Sequence, residues 1–103
     1  MEEQLKAIHN LIKDKEHWTK RTAARDEKGE EVVACSEEAV QWCLWGAINK
    51  VVSDPQDRWL VISCIIGVIP DSCRGITHFN DTNSHKKVIK AVKEAIRLER
   101  KAK

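Results

Sequence analysis

Residues 39–52 read AVQWCLWGAINKVV, and only Gln41, Asn49 and Lys50 among them are clearly polar. Ala39, Cys43 and Ala47 recur at i, i+4 and i+8, while Val40, Leu44, Ala47 and Val51 form a second stripe. The spacing predicts a helix that is apolar around most of its circumference, and such a helix is enclosed by other elements. Ser36, followed by Glu37 and Glu38, is the expected N-cap. Gly46 costs up to ~1 kcal/mol of helix propensity relative to alanine, so its presence predicts the close approach of another backbone.

Outward from this hub the chain supplies the enclosing elements. Leu5, Ile8, Leu11 and Ile12 fall at helical spacing, with Glu2 and Glu3 in the first turn, so a helix is expected from Glu2 to about Lys15. Trp18 extends or caps its buried stripe and points inward. From Thr19 the helical period disappears. Asp26-Glu27-Lys28-Gly29 suits a type I turn entering a glycine bulge, with residues 22–25 and 31–34 pairing as a short hairpin.

Asp54-Pro55 is a cap followed by a preorganised first helical residue, predicting a third helix to about Ile66, although its many β-branched residues leave a strand as the alternative. Residues 67–84 are rich in turn formers, with an extended piece at 76–79. Ser84 or Thr82 then caps a final amphipathic helix carrying Val88, Val92, Ala95 and Ile96 on one side and Lys86, Lys87, Lys90, Lys93 and Arg97 on the other. The expected fold is one small domain over residues 1–103, mainly α, with four helices around a buried central helix and a small β-hairpin.

With 42% apolar and 33% charged residues, the chain has the composition of a folded globular protein. The start MEEQLKAIHN lacks a signal pattern, and Cys35, Cys43, Cys64 and Cys73 lack CxxC spacing, which together predict a cytoplasmic protein with reduced thiols. The apolar run that begins at Trp59 and ends at Ile69 is too short to cross a bilayer, so no membrane partner is expected. It is also more apolar than one small core requires, which makes it a candidate surface for homo-oligomer formation.

The order of Trp18, Ala24-Arg25-Asp26 and Gly29, then Ala39-x-x-Trp42-Cys43-x-x-Gly46-Ala47, then Phe79-Asn80-Asp81 resembles a small, functionally uncharacterised bacterial and phage domain family. Its pattern has an early Trp, a W-C/S-L-x-G-A helix and a W/F-N-D turn before the last helix. The likeness covers residues 18–92; it departs at the unusually apolar run from Trp59, and Phe79 stands where Trp is commoner. The resemblance implies a bacterial or phage source, and it implies no activity.

Six residues form the candidate ligand site: Trp18, Arg21, Arg25, Asp26, Asn80 and Asp81. An arginine beside an indole can clamp a phosphate and stack on a base, because guanidinium is a planar, permanently charged donor fork. Asn80 and Asp81 can read a ligand's hydrogen-bonding edge. The structural alternatives are an Arg–Asp ion pair, with Asp81 available as partner, and Asx side chains that satisfy turn amides.

A zinc site would need Cys73, His78 and His85 with Cys35 or Cys43, at spacings unlike those of zinc modules, and phosphate-binding glycine loops and HExxH are absent; no metal or cofactor is expected. Residues 86–103 carry 8 basic and 2 acidic side chains, but Glu94 and Glu99 interrupt the basic face and argue against a nucleic-acid partner. The leading expectation is a non-enzymatic binding module for a small anionic ligand or a host protein, including interference with nucleotide signalling. A small hydrolase using Asp81 with His78 or His85, and an oligomeric structural protein, are the alternatives.

Overall fold

In the computed structural model, which describes residues 1–70, 73 and 75–102, the chain folds as five helices and a three-stranded antiparallel sheet. Helix α1 spans Glu2–Ile12 and is followed by a short 3₁₀ turn at Lys15–His17; the early end releases Trp18 from the helix into extended backbone. Strands β1 (Ala24–Arg25), β2 (Glu31–Val32) and β3 (Gln41–Trp42) follow, then α2 (Leu44–Val51), α3 (Pro55–Ile66), α4 (Ile76–Thr82) and α5 (His85–Lys101). The fold is mainly α with a small sheet, as the periodicity predicts.

The hairpin forms with the expected turn. Gly29 takes φ 80 and its amide reaches the Asp26 carbonyl at 3.0 Å, while the Asp26 side chain accepts from the amides of Lys28 and Glu30. Only glycine adopts that φ without strain. The sheet has a third member that the sequence did not announce. β1 lies in the middle, with Ala24 paired to Val32 on one side and to Trp42 on the other.

That third strand corrects the reading of residues 39–52 as one helix. Gln41 and Trp42 belong to β3, and α2 begins only at Leu44, with Cys43 rather than Ser36 at its cap. The Cys43 sulfur accepts from the Gly46 amide at 3.2 Å. Ser36 spends its hydroxyl on the Glu38 amide in a local turn. Serine favours such turns as readily as helix caps, so the local signal was ambiguous and pairing with β1 decided the outcome. Gly46 behaves as expected: a Cβ there would overlap the Ala23 carbonyl, which already accepts the Cys43 amide.

Helix α3 has the predicted bounds, with Asp54 accepting from the Gln56 amide at 2.8 Å and Pro55 in the first turn. The expected extended piece at 76–79 is instead the start of α4, because Ile76 and Phe79, three residues apart, bury together on one helical face. Of the preceding connection, Asp71, Ser72 and Arg74 lie outside the described residues. Ser84 caps α5 through the Lys87 amide. Leu5, Ile8 and Ile12 of α1, Leu44 and Ile48 of α2, Val61 and Ile65 of α3, and Val88 and Val92 of α5 fill the core with no exposed surface. Each such side chain contributes on the order of 1.5–3 kcal/mol by its removal from water. Among the described residues no helix is long and apolar enough to cross a membrane.

Candidate functional site

The fold brings Trp18, Asn80, Asp81 and the backbone of Arg21 to one place and leaves Arg25 and Asp26 on the adjoining hairpin. Asn80 sits at the centre, with 0% exposure. Its carboxamide oxygen accepts the Trp18 indole N–H at 2.7 Å and the Leu44 amide at 3.0 Å. Its nitrogen donates to the Thr19 carbonyl at 3.0 Å and to the Asp81 carboxylate at 3.2 Å. An asparagine side chain offers two donors and two acceptor lone pairs, so its whole hydrogen-bonding capacity is engaged within the chain. Leu44 is the first residue of α2, whose opening amides have no partner inside the helix. Asn80 therefore caps the hub helix from α4 while tethering the segment that leaves α1.

The neighbours are engaged in the same way. Asp81 Oδ1 also accepts the Arg21 amide at 2.9 Å, holding Arg21 at φ 69, a left-handed conformation that non-glycine residues rarely adopt. The Arg25 guanidinium donates to the Thr19 hydroxyl at 2.9 Å and to the carbonyls of Gly29 at 3.0 Å and Lys20 at 3.4 Å. The expected Arg–Asp ion pair does not form among the described residues; backbone carbonyls are nearer to Arg25 than either aspartate. Trp18 is 8% exposed, with its ring beneath the Lys20 ammonium (5.4 Å) and tilted against His85 (5.3 Å between centroids). Its faces are thus covered where a base would stack.

Of the hydrolase candidates, His78 lies exposed on α4, and Asp81 and His85 are occupied by structural contacts. His85 Nε2 bonds the Ile12 carbonyl at 2.7 Å, and Asp81 makes the contacts already given. Burial pushes the Cys43 and Cys64 thiols up, aided at Cys64 by the Glu99 carboxylate, so both remain protonated and weakly nucleophilic. Among the described residues, the one cluster with metal-ligating atoms within 4.8 Å of one another is Asp14, Glu16 and His17, on the surface, rather than the Cys73, His78 and His85 set.

Among the solvent-facing features of the described residues, two bear on function. A concavity of about 410 Å³ on α5 is lined by His85, Lys86, Ile89, Lys90 and Lys93. The outer face of α3 exposes Trp59 at 68%, Leu60 at 49% and Ile66 at 47%. Composition flagged the second as excess apolar surface. The concavity has no comparable signal in the sequence, because the lysines on α5 also fit the solvated face of any amphipathic helix.

The sequence model of a family of unknown function, DUF6197, matches residues 1–98. The chain belongs to this family. No curated protein and no solved structure matches it. The DUF6197 match spans both the Asn80 centre and the α3 face, and the family's description assigns a function to neither.

Proposed function

We propose that this DUF6197 protein is a non-enzymatic interaction module that works through the outer face of α3. The observation that carries this reading is the run of Gln56, Trp59, Leu60, Ser63, Ile66 and Gly67, all exposed, along one side of the helix with no charged residue among them. A large tryptophan held in water on a rigid helix is costly to leave uncovered and is the kind of anchor that dominates protein interfaces. The internal hydrogen bonds of Asn80, Asp81 and Arg25 support the same conclusion, since the residues best suited to chemistry already hold the fold together.

The test is a photo-crosslinking residue placed at Trp59, with a control at the exposed Glu31 on the hairpin, in cells that express the full chain. A discrete adduct from position 59 and none from position 31 is the expected result. No adduct at 59, or equal labelling at both positions, would overturn the reading.

A small anionic ligand is the second reading, and the α5 concavity favours it over the tryptophan centre. Lys86, Lys90 and Lys93 surround Ile89 there, and no salt bridge engages them among the described residues. A cyclic nucleotide is the version of this reading that interference with a host's nucleotide signalling would require. Thermal-shift measurements with cyclic nucleotides test this version, and a shift that survives Lys90→Ala with Lys93→Ala would move the ligand elsewhere.

A further inference from the structure

Resting on the proposal that α3 is the working surface, we infer that its occupant is a second copy of this chain, packed antiparallel across a two-fold axis at Ser63. Helical geometry of 100° per residue puts Ser63 near the middle of the exposed stripe. Trp59 and Ile66 then lie to one side of it, and Leu60 and Gly67 to the other. A two-fold axis through Ser63 keeps each side with its own kind while reversing the direction. Trp59 consequently meets the partner's Ile66, and Leu60 meets the partner's Gly67, where no side chain competes for space.

The centre of the stripe is prepared for close approach. The Ser63 hydroxyl donates to the Trp59 carbonyl of its own helix at 3.0 Å, so a small and internally satisfied side chain faces the axis. Charge favours the like-with-like arrangement too. The only ionised residues of α3, Asp57 and Arg58, lie about 120° and about 140° around the helix from Ser63, so the stripe itself carries no charge that its copy would repel. Arg58 is already drawn back by Asn49 Oδ1 at 2.6 Å. A nucleic acid or an anionic lipid surface would need cations that this stripe lacks.

The available area bounds the size of the interface. A stable specific interface covers about 800 Å² per partner, roughly one eighth of the 6397 Å² surface of this chain. One helical stripe supplies only part of that. An interface at the small end of the range is of the weak, transient kind, and its occupancy should follow concentration.

Sedimentation velocity of the full chain between about 1 and 300 µM is the test. The expected result is a mass rising from 11.8 kDa toward twice that value, with Trp59→Asp and Ile66→Lys each holding the protein at monomer mass and leaving its circular dichroism unchanged. Mixing those two variants should restore association, because the new carboxylate of one chain faces the new ammonium of the other. A wild-type monomer throughout would overturn the inference, as would a dimer indifferent to both substitutions or a mixture that stays monomeric. A crosslinked adduct at position 59 containing a different protein would sink the dimer while leaving α3 as the working surface.

Discussion

The Asn80 centre and the outer face of α3 invert the usual reading of polar and apolar residues. At Asn80, side chains suited to recognise a ligand are buried, as Trp18 and Asn80 are, or half-buried, as Asp81 is, and they are hydrogen-bonded to one another. On α3, side chains suited to a core stand in water. Burying a polar group costs several kcal/mol unless each of its hydrogen bonds is replaced, so the Asn80 centre holds its shape only as a complete set. The α3 face carries no such obligation, and its residues can change without disturbing what lies beneath. Structural importance and functional availability are therefore separated in this fold.

The sharpest way to break that contrast is Asn80→Ala. It strands the Trp18 N–H, the Leu44 amide and the Thr19 carbonyl in a space closed to water, and the expected loss is on the order of 3–5 kcal/mol in urea unfolding. Since a domain of this size has about 5–15 kcal/mol in total, the variant should be near its folding limit. A loss below about 1 kcal/mol would mean that the centre tolerates vacancies, and its suitability for a ligand would have to be reconsidered. Asn80→Asp should do no better, because it loses the donor to Thr19 and sets a second carboxylate beside Asp81.

Gly46→Ala is expected to come next. Helix propensity alone would make it stabilising by up to ~1 kcal/mol, but the added Cβ would overlap the Ala23 carbonyl. Overpacking against backbone typically costs about 1–3 kcal/mol, so the net effect should be destabilising. A thermal midpoint equal to or above that of the wild type would show that β1 can move away from α2.

These two positions also show what the sequence could and could not convey. Gly46 was legible because a glycine inside a helical pattern signals a neighbouring backbone packed too close for a Cβ. α3 and α5 were legible from their caps, Asp54-Pro55 and Ser84, which act locally. The start of α2 was not, since residues 39–52 are as compatible with an apolar strand entering a helix as with one long helix, and only pairing of Gln41 and Trp42 with β1 resolves them. The site residues were legible as a group and opaque in their role. Trp18, Arg21, Asn80 and Asp81 do converge, but whether convergence leaves a cavity depends on partners about 60 residues apart in the chain, as with Trp18 and Asn80. Composition shows excess apolar residues in α3 and cannot say which of them face outward.

Trp59→Gln probes the other side of the contrast. With 68% of Trp59 exposed, removing the indole should change monomer stability by no more than about 0.5 kcal/mol in either direction, while the oligomeric equilibrium shifts toward monomer. Chemical denaturation at about 1 µM and again at 100 µM separates the two effects. If the variant were strongly destabilised at the lower concentration, Trp59 would belong to the core and the contrast would fail.

The smallest expected effect concerns an exposed polar contact, which should matter far less than the buried one at Asn80. Glu2 joins the two ends of the fold, receiving Arg100 of α5 at 2.7 Å and Lys6 of its own helix at 3.0 Å. The hydrogen bond from Arg100, followed by that from Lys6, holds the Glu2 carboxyl well below the usual range, at about 2. In the unfolded chain a glutamate titrates near about 4.3. Because the folded value is the lower one, the associated stability is present in full above about pH 4.3 and is lost as the pH falls toward 2. Glu2→Gln should therefore lower the thermal midpoint modestly at pH 7, solvent screening keeping the surface pair weak, and that difference from the wild type should close as the pH falls from about 4.5 to 2. Trp59→Gln should leave the acid limb of the midpoint as it is, since α3's outer face holds no titrating group. A steeper loss at neutral pH for Glu2→Gln than for Asn80→Ala would reverse the ranking of surface and buried polar contacts on which the comparison of the two regions depends.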